Sequence, residues 1–251
     1  VRKLPQRREQ DLAAMRRAGR VVAQMHQAIR EVAEPGVTTG YLDEVAREVL
    51  ARNGATSNFL GYHGFPATIC ASVNDEVIHG IPGPRALVDG DLLSIDCGAI
   101  VDGWHGDAAF TMAIGEASEA TTALIAAAQR ALAAGIAAMQ VGRHVGDIGV
   151  AIHAAVSAAG YGSPRDYCGH GIGRAMHEDP DVPNRGRRGR GPLLTAGSVL
   201  AIEPMLIGGG HDDVRELDDG WTVVTADGSL AAHVEHTVLI TDSGPEILTR
   251  L

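Results

Sequence analysis

Cysteine is scarce in this chain: Cys70, Cys97 and Cys168 are the three among 251 residues, an odd number with no Cys-x-x-Cys spacing. That excludes a disulfide framework and a thiolate zinc site, and it fits a reducing cytoplasm. Basic charge is short as well, with 21 Lys plus Arg against 31 Asp plus Glu and a formal charge of −10. Such a chain is a poor binder of DNA or of an anionic membrane. Its surplus carboxylates instead supply ligands for hard cations. No uninterrupted apolar run approaches the ~20 residues of a membrane span. The basic start, Val1 to Gln10, has no apolar stretch behind it that reads as a signal peptide. Glycine, by contrast, is plentiful at 32 residues, nearly twice the usual ~7% share, so many tight turns are expected. The length allows one large domain or two ordinary ones, with a core that needs no covalent staple.

Apolar residues recur at helical spacing from Asp11 onward (Leu12, Met15, Val22, Met25, Ile29, Val32) until Pro35-Gly36. A second helix is expected from Thr39 to Asn53-Gly54. An Ala-rich one follows from Ser118 to Met139, and a fourth runs from Gly146 to Ala159. Strand-like runs cover 68–73, 92–101, 104–114, 199–207, 221–225 and 231–241, and Asp102-Gly103 is a hairpin signal. An internal repeat underlies this order. Gly36, Gly40, Leu42 and Gly54 are matched 106 residues later by Gly142, Gly146, Ile148 and Gly160. Farther on the offset is 107: His63-Gly64 meets His170-Gly171, Gly90 meets Gly197, Ile95 meets Ile202 and Asp96 meets Glu203. Each half, about 11–115 and 118–250, then reads helix, helix, strand, strand. The expectation is an α+β fold in one domain, 1–251, with halves related by a pseudo-two-fold axis and polar strand residues converging near it.

Asp96 sits inside an aliphatic strand, where a carboxylate is costly to bury uncompensated. With Asp102-Gly103 as the turn, Gly98 pairs with Asp107, and Asp96 is the diagonal neighbour of Asp107 on the same face. Such neighbours lie ~7–8 Å apart at the backbone, within joint reach of one or two ions. Gly98 leaves room opposite Asp107. The competing reading is an Asp-Gly turn with solvated acids. The second half repeats the anomaly: Glu203 follows Val199-Leu200-Ala201-Ile202, and Glu235 lies in His233-Val234-Glu235-His236-Thr237. By alternation His233 and Glu235 share one face and His236 takes the other.

His26, His144 and His153 read as ordinary structural histidines. His170, in Gly169-His170-Gly171-Ile172-Gly173, and His79, in Ile78-His79-Gly80, keep Gly-lined access to a ligand. Four carboxylates and one imidazole suit a pair of divalent ions. Such a pair, ~3.5–4 Å apart, activates water and polarises a carbonyl. Neutral histidines beside it steady an oxyanion and protonate a leaving amine. The residues by themselves read as metal-assisted hydrolysis.

At Tyr62-His63-Gly64-Phe65-Pro66, Asn74-Asp75-Glu76-Val77-Ile78-His79-Gly80, Asp96-Cys97-Gly98, Gly169-His170-Gly171, Ile202-Glu203-Pro204 and Val234-Glu235-His236-Thr237, the sequence resembles the bacterial type I methionine aminopeptidases. The match runs from about Asp11 to the C-terminus. The resemblance implies the pita-bread fold: a curved antiparallel sheet with helices on its outer face. It implies two divalent ions (Co, Mn, Fe or Zn) held by Asp96, Asp107, His170, Glu203 and Glu235, with Asp107 and Glu235 bridging. His79 would contact the scissile amide and His177 the substrate carbonyl, while Glu203 would also shuttle a proton. Tyr62, Phe65, Cys70, Met176 and Trp221 would line the methionine pocket, an apolar, sulfur-rich slot that suits a thioether. Relatives usually carry Phe where this chain has Met176. The implied reaction removes the initiator methionine from nascent proteins when the second residue is small.

The expected partners are peptides with N-terminal Met. Arg185, Arg187, Arg188 and Arg190 form a basic run that reads first as a solvated loop and second as a transient ribosome contact. With no exposed heptad, a monomer is expected. Two alternatives share the fold. A proline-directed aminopeptidase usually carries an extra N-terminal domain. A non-catalytic peptide-binding module loses metal ligands, whereas here all five positions are filled.

Overall fold

The computed structural model describes residues 3–251; Val1 and Arg2, the start of the basic N-terminal run, lie outside the described residues. Four helices form where the periodicity places them: α1 (Glu9–Val32), α2 (Thr39–Arg52), α3 (Glu119–Ala137) and α4 (Val145–Ala158). Side-chain caps set the starts of α2, α3 and α4, whereas α1 begins at Arg8 without one. The Thr38 hydroxyl accepts from Tyr41 N at 3.2 Å, Ser118 Oγ from Thr121 N at 3.0 Å, and Asp147 Oδ2 from His144 N at 2.9 Å. The helix-ending glycines of the repeat share one backbone conformation: φ is 94° at Gly36 and 86° at Gly142, 61° at Gly54 and 77° at Gly160. Only glycine enters that region freely, so the helices stop at equivalent points in each half.

Each helix pair covers its own half. The apolar stripes of α1 and α2 (Val22, Met25, Ile29, Leu42, Val49) bury against Ile69, Val73, Leu93 and Ile95. Those of α3 and α4 bury against Ile202, Leu206, Val238 and Ile240. Each such side chain contributes about 1.5–3 kcal/mol. Helix α3 is long and apolar enough to cross a membrane by length and composition. Thr122, Gln129 and Arg130 interrupt its run, so a search for unbroken apolar stretches passes over it. Here Leu124, Ala128, Leu132 and Ile136 pack it into the second core.

Among the described residues every strand ladder is antiparallel, and the isolated bridge Lys3–Leu193 is parallel. In the first half Leu92–Val101 is flanked by Ile69–Val73 and Trp104–Ala113. In the second, Gly244–Ile247, His236–Thr241, Val199–Ile202, Cys168–Gly171 and Glu178–Pro183 lie side by side in that order. The runs expected at 199–207 and 231–241 each divide in two, giving Val199–Ile202 and Met205–Ile207, then Ala231–His233 and His236–Thr241. Pro204 has no N–H to continue the ladder. Glu235 N bonds instead to Ala109 O across the seam, at 2.9 Å. The expected antiparallel sheet is present, hydrogen-bonded as separate ladders. Glu203 and Glu235 sit at the two breaks, and Thr237 stitches the halves there. Its hydroxyl accepts from Asp107 N at 2.9 Å and donates to Asp107 O at 2.7 Å.

Candidate metal centre

The hairpin register places Gly98 opposite Asp107 and Asp96 opposite Ala109, which makes the two acids diagonal neighbours on one face. The space beside Gly98 is not free, however. A Cβ there would lie 2.5 Å from Asn58 Nδ2 and 2.7 Å from Asn58 Cβ. Asn58 is held in that place by donating to Gly106 O at 3.1 Å. Glycine at 98 thus admits Asn58 behind the acids.

From the second half come His170, on its Cys168–Gly171 strand, and Glu203 and Glu235 from the two breaks. His170 Nε2 lies 3.6 Å from Glu203 Oε1. His170 Nδ1 lies 2.9 Å from Gly171 O, a pure acceptor. Nδ1 therefore carries the proton, and the Nε2 lone pair points into the acid cluster. Asp107, His170 and Glu235 bring their ligand atoms within 4.8 Å of one another, as do Glu203, His233 and Glu235.

This arrangement is electrostatically incomplete. Burial pushes the Asp96 carboxyl up to about 7 and that of Glu203 up to about 8. Burial, and then the neighbouring acids, push Asp107 and Glu235 well above the usual carboxylate range. Burial pushes His170 down to about 3, which keeps its ring neutral and fit to ligate. Asp96 Oδ1, Asp107 Oδ1 and Glu235 Oε1 are buried with no hydrogen-bond partner. Orphaned carboxylate oxygens around one neutral imidazole are what divalent cations satisfy, so the donor set fits them.

These residues line a cavity of about 490 Å³. His79 and His177 line it too, beside the acids. His79 holds a left-handed backbone, φ 61°, between Ile78 and Gly80, an uncommon conformation for a side-chain-bearing residue. Its ring stands 6.1 Å from that of Trp221 and 6.2 Å from that of Tyr167. The His177 ring is 4.3 Å from that of His170. At the apolar end Phe65, Cys70 and Met176 pack together, with Tyr62 and Trp221 against them. Phe65 and Trp221 meet edge to face at 5.0 Å.

Every residue singled out from the sequence for this site lines the one cavity. Phe59, Tyr167 and His233 join them unpredicted. His233 had a signal, the face it shares with Glu235; Phe59 and Tyr167 lie outside any periodic pattern. The basic run stays apart from the cavity: Arg185 donates to Ser163 O at 3.3 Å and pairs with Asp212, while Arg187, Arg188 and Arg190 are exposed.

A family model described as metallopeptidase family M24 matches residues 13–242. The chain is similar to methionine aminopeptidase 1 of Mycobacterium tuberculosis (strain CDC 1551 / Oshkosh), at 56% identity over 255 residues, covering 99% of this chain and 96% of that protein. Methionine aminopeptidase 1 of Bacillus subtilis (strain 168) is 44% identical over 241 residues, covering 96% and 97%. The crystal structure of methionine aminopeptidase from Thermotoga maritima has a TM-score of 0.96 at 39% identity, covering 99% of this chain and 100% of that one. Prolidase from Pyrococcus furiosus, at 20% identity, shares the fold with a TM-score of 0.78, covering 98% of this chain and 65% of that one. The matched segment contains all five residues expected to be ligands, and the chain belongs to metallopeptidase family M24.

Proposed function

We propose that this chain is a methionyl aminopeptidase that removes the initiator methionine from nascent proteins in the cytoplasm when the second residue is small. In this reading it acts as a monomer and one catalytic domain, since both halves contribute ligands. The observation that carries it is the convergence of four carboxylates and His170 on one cavity whose other end is the Phe65, Cys70, Met176 and Trp221 slot. Asp96, Asp107, His170, Glu203 and Glu235 would hold two divalent ions. When bound, the ions supply Lewis acidity toward the scissile carbonyl and lower the pKa of water.

The chain's own groups do the rest. The apolar slot takes the methionine side chain and so places the first peptide bond beside the acids. Glu203 accepts a proton from the attacking water and carries it toward the leaving amine. His177 donates from Nε2 to the carbonyl oxygen as negative charge develops there. His79 stands at the scissile amide nitrogen. A neutral ring serves both tasks, and burial holds His79 down at about 4 and lowers His177.

The test pairs metal analysis with cleavage of Met-Ala-Ser and of an Xaa-Pro peptide on one sample. Met release that tracks bound metal is expected. Hydrolysis of the Xaa-Pro peptide alone would overturn the specificity, and full activity after chelation would overturn the chemistry.

A further inference from the structure

His233 has no role in the site as described, yet it is built like a ligand. It closes the Ala231–His233 strand, is only 3% exposed, and its Nε2 has no hydrogen-bond partner. Its backbone is pinned from the other half of the chain. His233 N donates to Thr111 Oγ1 at 3.0 Å, and Thr111 Oγ1 donates back to His233 O at 2.7 Å. The ring therefore enters the cavity from a fixed base.

Glu203 lies between two imidazoles. Its Oε1 is 3.6 Å from His170 Nε2 and its Oε2 is 3.4 Å from His233 Nε2. A direct charge-assisted N–H···O bond would be shorter, about 2.7–2.9 Å. Two donors on one ion behave differently. With bonds of about 2.0–2.2 Å, as for zinc, donors at right-angle to tetrahedral separation stand about 2.8–3.6 Å apart. The His233 distance belongs to that range. The ligand atoms also sort into two groups of three that share Glu235: one with Asp107 and His170, the other with Glu203 and His233.

We propose that His233 is a sixth protein donor of the metal centre, so that each group of ligands contains one imidazole. This deepens the metallopeptidase reading and rests on it. A second nitrogen donor moves the site away from oxygen-only preference, toward borderline cations such as Co, Fe and Zn over Mg.

The test uses the whole chain, made metal-free and titrated with Co(II). Proton NMR of the loaded protein is expected to show two sets of hyperfine-shifted imidazole resonances. His233→Gln should lose one set and weaken Co(II) binding at least about tenfold. His170→Gln should lose the other set. A parent spectrum with a single imidazole set overturns the proposal without recourse to any variant. So does a folded His233→Gln protein with both sets and unchanged affinity. If His170→Gln also leaves spectrum and affinity untouched, the metal-centre reading itself fails, which is a separate outcome.

Discussion

The Tyr62 hydroxyl lies 2.7 Å from His177 Nδ1. A neutral imidazole has one donor and one acceptor nitrogen, and a phenol is the natural donor to the acceptor. With the Tyr62 hydroxyl as donor, Nδ1 accepts and the His177 proton sits on Nε2, the tautomer that serves the substrate carbonyl. Tyr62, expected from the sequence only as pocket lining, also orients a histidine.

Tyr62→Phe keeps the ring in the pocket and removes this bond. We expect kcat to fall about tenfold or more with KM nearly unchanged, since an oxyanion donor is worth ~10²–10³-fold and this variant disorients it without removing it. Steady-state kinetics on Met-Ala-Ser checks it. A rise in KM alone would mean that Tyr62 serves only to bind.

The buried acids give the metal-free protein an inverted pH response. Asp96 and Glu203, with ordinary values of 3.8 and 4.5, are raised to about 7 and about 8. A raised folded pKa stabilises fully below the unfolded value, and that contribution is lost as pH rises through the folded one. His26 and His170, held down at about 3 by burial, act oppositely, but only below their ordinary 6.5. From about pH 6.5 to about pH 9 the acids act alone, so Tm should fall across that window. Divalent cation should restore it most at the upper end, because it binds the ionised acids. Thermal melts with and without cation are the measurement, and a Tm that climbs in metal-free buffer contradicts the prediction.

Thr237 is fully buried and holds both backbone groups of Asp107. Thr237→Val conserves the shape and strands those groups, a cost of about 1–3 kcal/mol. Urea denaturation should show that loss, with weaker metal binding as Asp107 shifts.

Gly98→Ala drives a methyl into the body of Asn58, 2.7 Å from its Cβ. Overpacking of this kind costs about 1–3 kcal/mol. An unchanged denaturation midpoint would show that Asn58 moves aside freely.

Much of this site was legible because its acids are misplaced by ordinary rules. Asp96 and Glu203 interrupt aliphatic strands, and a two-residue turn at Asp102-Gly103 is enough to bring Asp107 beside Asp96. The short strands were not legible. Glu178–Pro183 contains three acids and two prolines, and Cys168–Gly171 is half glycine, so neither carries a β pattern of its own. The breaks at Pro204 and Glu235 were partly hidden for a related reason: only the proline announces itself, whereas Glu235 leaves its strand because Ala109 O in the other half accepts its N–H.

Local chemistry determined the helices, their caps, the hairpin register and the residue types able to hold a cation, since each depends on neighbours a few positions away. Tertiary packing decided what distance in the chain conceals. It set Asn58 behind Gly98, the Tyr62 hydroxyl on His177, and the His233 ring beside Glu203. Those contacts join residues 30 to 115 positions apart and fix orientations that no periodicity encodes, and the Tyr62–His177 contact forms only where one half closes against the other.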